Sequence, residues 1–310
     1  MGACIQISKL TKRYGSTVAV DDLSIEVQSG EVLGLLGPNG AGKSTTLYML
    51  AGLARPTSGT ITLFGKDLRR DFIEIAGRIG VLVERPAFYE YLSPRENLLI
   101  LARLAGREVT IDRALNLTGL LEVAGKKTGT LSMGMRQRLG LAQALLLEPE
   151  ILILDEPANG LDPESTQETI RLLRQLAVES HVTIIFSSHM LHEVEELCDR
   201  VAIINNGRLV SCERMESLLS YDLTRVEVLL DAPAKASTSN GKTASAVAER
   251  LREQDWVLSA EAVPGKVLVT LKEPNPQQLA AFMVGAGYRL AGIVPRRRTL
   301  QDYFTKTLNP

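Results

Sequence analysis

The feature that most constrains this chain is the run Gly37-Pro38-Asn39-Gly40-Ala41-Gly42-Lys43-Ser44-Thr45, which follows the apolar segment Val32-Leu33-Gly34-Leu35-Leu36. It fits the pattern G-x-x-x-x-G-K-[ST], whose mechanics need a buried strand before it and a helix N-terminus after it. The glycines let backbone N–H groups converge on an anion and the helix end adds its positive dipole. Lys43 neutralises β- and γ-phosphate oxygens, and the Ser44 hydroxyl is a ligand for Mg²⁺. A strand over Glu31 to Leu36 and a helix from about Lys43 to Leu50 are therefore expected, with a nucleoside triphosphate held between them.

Such a cradle needs a carboxylate at the end of a second buried strand. Ile151-Leu152-Ile153-Leu154-Asp155-Glu156-Pro157 supplies it. The four apolar residues form the strand, Asp155 emerges at its carboxyl end within reach of the Mg²⁺ shell, and Glu156 is placed to polarise an attacking water. Val182 to Phe186 is a third continuous apolar run, and Pro163 to Val178 reads as the crossover helix between the two. These elements predict an α/β fold around a parallel sheet.

The first 30 residues alternate at Cys4 to Leu10 and Leu23 to Val27, which predicts a small antiparallel sheet punctuated by Gly15 and Ser29-Gly30. Ser93-Pro94-Arg95-Glu96 is a capped helix start, and a mostly helical stretch is expected from there to about Ala144. Asn206-Gly207 signals a type I′ hairpin between Val201-Ile204 and Arg208-Val210, closing a first domain near residue 220. Asp231 to Ala246 is small and polar, a flexible loop by composition. Around it the order strand (Arg225 to Leu230), helix (Ser245 to Gln254), strand (Val257 to Val263), strand (Lys266 to Leu271), helix (Gln277 to Gly285), strand (Arg289 to Val294) predicts a small βαββαβ domain, with a terminal helix from Thr299.

Composition limits the partners. The 310 residues leave room for about two domains at roughly 150 residues each. With 35 Lys+Arg against 36 Asp+Glu the net charge is −1, so there is no global positive field to draw a nucleic acid. Cys4, Cys198 and Cys212 form no C-x-x-C pair and read as reduced, buried thiols of a cytoplasmic protein. The start Met1-Gly2-Ala3-Cys4-Ile5-Gln6 lacks the basic and apolar regions of a signal peptide. The richest apolar stretch, Leu98 to Ala105, is broken by Arg103, so any membrane role is expected to run through a separate polypeptide. His192-Glu193-x-x-Glu196 approaches a zinc-binding H-E-x-x-H but lacks its second histidine.

Taken together, residues 4 to 220 resemble the nucleotide-binding subunit of ATP-binding cassette (ABC) transporters. Leu131-Ser132-Met133-Gly134-Met135-Arg136-Gln137-Arg138 is similar to a variant of that family's LSGGQ signature. The resemblance implies a P-loop NTPase cassette over residues 1–220: a RecA-like parallel sheet core, an antiparallel β subdomain and a helical subdomain at about 86–145. Residues 221–310 would form a small α+β C-terminal accessory domain of ferredoxin-like type. It further implies a head-to-tail homodimer in which Ser132, Met133, Gly134 and Gln137 of one copy cap the ATP of the other. Tyr14 would stack on adenine. Asn159, Gly160 and Asp162 lie in the loop linking the two sites, and His189 would contact the γ-phosphate as the family's switch histidine.

One departure from the family is Glu84 where Gln is usual, after the strand Gly80-Val81-Leu82-Val83. As a carboxylate it can join Ser44 and Asp155 as a metal ligand, at the cost of extra negative charge beside Asp155 and Glu156. Glu84, the Met-Gly-Met signature and the Asn-Gly-Leu-Asp loop together resemble the branch that exports peptide antibiotics such as bacitracin and lantibiotics. The aromatic segment Arg85-Pro86-Ala87-Phe88-Tyr89-Glu90-Tyr91-Leu92 reads either as packing inside the helical subdomain or as the seat of a permease helix. The expected protein is an ATPase at the inner face of the cell membrane, using ATP and Mg²⁺ to drive a separate permease that exports a peptide antibiotic, drug or lipid-like compound. The alternatives are a soluble cassette ATPase and an ATP-driven switch whose residues 221 to 310 bind a regulator. The cluster Arg296-Arg297-Arg298 reads as a solvated loop or as a contact to anionic lipid.

Overall fold

The computed structural model describes residues 3–84, 86–231 and 240–308. Met1, Gly2, Arg85, residues 232–239 of the expected polar loop and residues 309–310 lie outside the described residues. The chain divides into two compact units, one made of Met1–Met215 with Lys306–Pro310 and one spanning Glu216–Thr305.

The first unit opens with β1 (Ala3–Tyr14), β2 (Thr17–Gln28), β3 (Val32–Leu36), α1 (Lys43–Leu50), β4 (Ser58–Leu63), β5 (Lys66–Asp67), α2 (Phe72–Ala76) and β6 (Ile79–Leu82). A helical section follows, with α3 (Pro94–Ala105), α4 (Ile111–Leu117) and α5 (Met133–Leu145). The unit ends with β7 (Ile151–Asp155), α6 (Pro163–Ser180), β8 (Thr183–Ser187), α7 (Leu191–Leu197), β9 (Arg200–Asn205) and β10 (Arg208–Arg214).

The main sheet has the order β10-β9-β3-β8-β7-β6. All neighbours are parallel except β10, which returns antiparallel to β9 through Asn206-Gly207. Both turn residues have positive φ, 49° and 78°, as a type I′ hairpin requires. β3 and β8 are buried at every position, which is why they read as unbroken apolar runs rather than alternating ones. Leu35 pairs with Ser187 and Asp155 with Ser187, so the carboxyl ends of β3, β8 and β7 lie side by side. The turn after β3, the acids at the end of β7 and His189 after β8 all leave the sheet at that one edge, the place where open α/β sheets bind ligands.

The antiparallel sheet has the order β2-β1-β4-β5. β1 was expected to stop near Leu10 but runs on to Tyr14. Its polar end Thr11-Lys12-Arg13 lacks apolar alternation, yet it pairs with β2 as far as Tyr14↔Thr17, so main-chain pairing extends the strand where burial does not. The two sheets share one core, in which Ile5, Ile7, Val20 and Ile61 meet Leu33, Leu47, Ile153 and Ile185.

The second unit follows the single turn α8 (Met215–Leu218) with β11 (Tyr221–Leu230), α9 (Asn240–Arg252), β12 (Val257–Val263), β13 (Lys266–Leu271), α10 (Pro276–Gly285), β14 (Leu290–Arg297) and α11 (Leu300–Leu308). Its sheet has the order β12-β13-β11-β14, antiparallel throughout. α9 starts at Asn240, not Ser245, so the loop expected to reach Ala246 gives way earlier. The buried stripe at Ala244, Val247, Ala248 and Leu251 has the i, i+3, i+4, i+7 spacing of a helix face and begins one residue before the expected start. Among the described residues no helix is long and apolar enough to cross a membrane.

Candidate active site

The turn after β3 is built for a ligand. A Cβ at Gly37 would collide with the carbonyl oxygen of Ile204, and one at Gly42, whose φ is 104°, with that of Ala19. Gly42 is also the N-cap of α1 and offers no side-chain cap, so the first amides of α1 keep their donors available. The β9–β10 hairpin buttresses this turn: Gly207 N–H donates to the Ala41 carbonyl at 2.9 Å. Pro38, Asn39 and Gly40 are exposed around the opening, whereas Gly37, Ala41 and Lys43 are buried and Ser44 and Thr45 half-buried.

Lys43 Nζ donates to the carbonyls of Gly37 at 2.8 Å and Pro38 at 3.0 Å, folding the side chain over the turn. Burial pushes its ammonium below the ordinary value, against the pull of Glu156 and Asp155. Ser44 Oγ donates to Asp155 Oδ1 at 3.1 Å. A hydroxyl and a carboxylate at that distance are a hard, all-oxygen donor pair of the kind that suits Mg²⁺. Ser187 Oγ donates to the same Oδ1 and accepts from the Glu156 N–H at 3.1 Å, so one hydroxyl orients both acids.

Glu156 takes a left-handed backbone, φ 48°, and its N–H also donates to the Ser187 carbonyl at 3.1 Å. Strain of this kind in a non-glycine residue turns its side chain off the strand line. Both carboxylate oxygens are engaged. Oε1 lies 3.1 Å from His189 Nδ1, and Oε2 accepts from Asn159 Nδ2 at 2.8 Å. A carboxylate can only accept, so the ring with its proton on Nδ1 makes this contact a hydrogen bond.

Glu84 also has a left-handed backbone, φ 63°, and its Oε1 accepts from the Tyr48 hydroxyl at 2.8 Å. Burial, reinforced by Glu84 and Asp155, pushes that phenol up to about 12. Tyr14 is 51% exposed, with Lys12 Nζ 4.7 Å from its ring centroid.

The signature region and the dimer-loop residues form a second, contiguous patch. Ser132 caps α5, accepting from Met135 N–H at 3.2 Å. Met133 is 55% exposed, and Gly160, φ 78°, lies under it so closely that a Cβ there would sit 2.7 Å from Met133 Cε. Gly134 neighbours Leu161. Gln137 turns inward, donating to the Pro157 carbonyl at 3.3 Å, which ties α5 to the residue after Glu156. Asp162 caps α6 by accepting from Ser165 N–H at 3.0 Å and Ser165 Oγ at 2.7 Å, bonds that hold its carboxyl below the ordinary value.

In the aromatic segment, Phe88 packs on the helical core, while Tyr89 and Tyr91 stay exposed with ring centroids 5.9 Å apart. The buried Asn97 fixes that segment through both the N–H and the carbonyl of Tyr89.

Sequence reasoning did not find Ser187, Tyr48 or Glu193. Ser187 carried a signal, since it stands two residues before His189 at the end of a buried strand. Glu193 is buried and accepts from Ser188 Oγ at 2.6 Å, and the same hydroxyl accepts from Met190 N–H at 2.9 Å; together these bonds hold both flanks of His189. Burial raises the Glu193 carboxyl.

A family model described as ABC transporter matches residues 20–159. The chain is 40% identical over 312 residues to the bacitracin transport ATP-binding protein BcrA of Bacillus licheniformis, covering 99% of this chain and 98% of that protein. It is 38% identical over 307 residues to the protein of the same name from Enterococcus faecalis, covering 98% and 96%. Among solved structures, cbiO1 from Clostridium perfringens, part of the ABC transporter complex cbiONQ, aligns with a TM-score of 0.63 at 29% identity, covering 70% of this chain and 90% of that one.

Proposed function

Because the chain belongs to the ABC transporter family of ATP-binding subunits, in the branch of the bacitracin transport ATP-binding proteins, and is an ATPase, we propose that it energises a separate membrane permease from the cytoplasmic face of the membrane. Two copies close head to tail on two ATP molecules and open after hydrolysis. The cargo is a peptide antibiotic, drug or lipid-like compound moved outward. The names of the two full-length relatives support that cargo class.

The observation that carries the catalytic part is the Glu156–His189 pair at the sheet edge that also bears the cradle. Glu156 takes the proton of the attacking water, its carboxylate held by His189 and Asn159. His189 orients Glu156 through Nδ1 and offers Nε2 to a γ-phosphate oxygen; a doubly protonated ring donates from both nitrogens. Residues 37–45 hold the phosphates, Lys43 swinging from the Gly37 and Pro38 carbonyls onto their oxygens. Ser44, Asp155 and Glu84 would hold Mg²⁺, which when bound neutralises charge on the β- and γ-phosphates. Tyr14 takes the adenine. Ser132, Met133 and Gly134 reach the partner copy's nucleotide, while Gln137, bonded to the Pro157 carbonyl, braces α5 from within; Asn159, Gly160 and Asp162 link the two sites, consistent with the close approach of Gly160 to Met133.

The test is capture of tagged Glu156→Gln protein with Mg-ATP from detergent-solubilised membranes of its native cells, followed by mass spectrometry. A stoichiometric multi-span protein is the expected result. Recovery of soluble proteins or ribosomes alone, while a control permease survives the detergent, would overturn the permease assignment.

A further inference from the structure

We propose that Tyr48 is a positioning residue for Glu84, fixing that carboxylate on the α1 face that also carries Ser44 so that it acts as a third oxygen donor for a divalent cation held by Ser44 and Asp155; this rests on the reading of Ser44 and Asp155 given above. Tyr48 lies four residues after Ser44 in α1, so the phenol and the Ser44 hydroxyl share one helix face, a single turn apart. Ser44 reaches Asp155 at 3.1 Å, and Tyr48 reaches Glu84 at 2.8 Å. One helix face thus grips Asp155, the last residue of β7, and Glu84, two residues past the end of the adjacent β6. Both Glu84 and Asp155 act electrostatically on the phenol.

The residue types fit one another. A phenol gives one hydrogen, and an ionised carboxylate can only accept it, so the bond has a single sense and pins Oε1. Oε2 is then left to a cation or a water. A glutamine at the same place could turn either its carbonyl or its amide group to the hydroxyl, so Tyr48 matches Glu at position 84 better than it matches the family's usual Gln. Mg²⁺ demands near-ideal octahedral geometry, and partners that orient its ligands carry affinity with them. The left-handed backbone at Glu84 swings the side chain off the strand line, and the Tyr48 bond selects one of the places it could then reach.

The experiment uses the full chain and titrates Mg²⁺ against the affinity for a fluorescent trinitrophenyl-ATP, beginning in EDTA, for wild type, Tyr48→Phe, Glu84→Gln and the double variant. Tyr48→Phe is expected to leave the metal-free affinity unchanged and to raise the half-saturating Mg²⁺ by about tenfold. Glu84→Gln should do at least as much, and the double variant no more than the larger single effect, because the two residues act as one unit. An unmoved Mg²⁺ midpoint in Tyr48→Phe, or effects that multiply in the double variant, would overturn the proposal. A wild-type protein that binds the nucleotide with no Mg²⁺ response at all would instead bring down the underlying assignment of Ser44 and Asp155.

Discussion

His189 Nδ1 lies 3.1 Å from Glu156 Oε1 across the ends of two neighbouring strands, while Asn159 Nδ2 holds Oε2 at 2.8 Å. Glu156 therefore has the fixed geometry of a positioned base, held through both carboxylate oxygens. Replacing it by Gln keeps the shape and one of the two accepting contacts but removes the basic lone pair. Glu156→Gln should bind ATP with wild-type affinity and lose about 10²–10⁴-fold in turnover. Phosphate release and nucleotide binding measured side by side check this; wild-type turnover in the variant would remove Glu156 from the role.

Gly42 combines a left-handed backbone with a close approach to the Ala19 carbonyl, two demands that no side chain meets. Gly42→Ala should destabilise the first unit by about 1–3 kcal/mol from backbone strain alone. It should also weaken ATP binding, because the turn must open to admit the methyl group. A denaturation midpoint and a nucleotide titration read the two effects separately.

What the sequence made legible is local and contiguous. Residues 37–45 carry their own strand, turn and helix context, and the Ile151–Leu154 run delivers Asp155 and Glu156 to the sheet edge by itself. Ser93 forms the expected capping box with Glu96. What stayed hidden depends on side-chain directions across long separations. Tyr48 and Glu84 are 36 residues apart, and their meeting depends on the left-handed φ of Glu84, which no motif announces. Gln137 belongs to a signature read as facing outward, yet its amide bonds to the Pro157 carbonyl. Glu193 drew attention only as part of a failed zinc pattern, and its role as the buried partner of Ser188 needs the fold of α7 onto the end of β8.

Glu193 makes stability depend on pH. Its carboxyl is raised from the ordinary value of 4.5, first by burial and then by the charge of Glu156, with the Ser188 bond, His189 and His192 pulling the other way. Its native state thus holds the proton more tightly than its unfolded state. Between the unfolded value and the higher folded value the native state binds more protons, so the unfolding free energy falls as pH rises. The contribution is complete below 4.5 and is lost as pH passes through the folded value. Glu193→Gln, neutral at every pH and still able to accept from Ser188, should flatten that decline. Urea midpoints across this range check it; parallel wild-type and variant curves would refute it.

Ser132 has two jobs that substitution can separate. As the N-cap of α5 its Oγ accepts from Met135 N–H at 3.2 Å, and as a signature residue it would face the ATP of the partner copy. Ser132→Ala should cost about 1 kcal/mol of stability through the lost cap. It should also weaken ATP-dependent dimerisation of a Glu156→Gln background. Asp caps a helix about as well as Ser does, so Ser132→Asp should restore the stability. Its carboxylate would then oppose a phosphate, and dimerisation should stay lost. Unfolding midpoints and size-exclusion chromatography with Mg-ATP distinguish the two roles. If Ser132→Asp dimerised as well as the parent, the Ser132 hydroxyl would be a cap and nothing more.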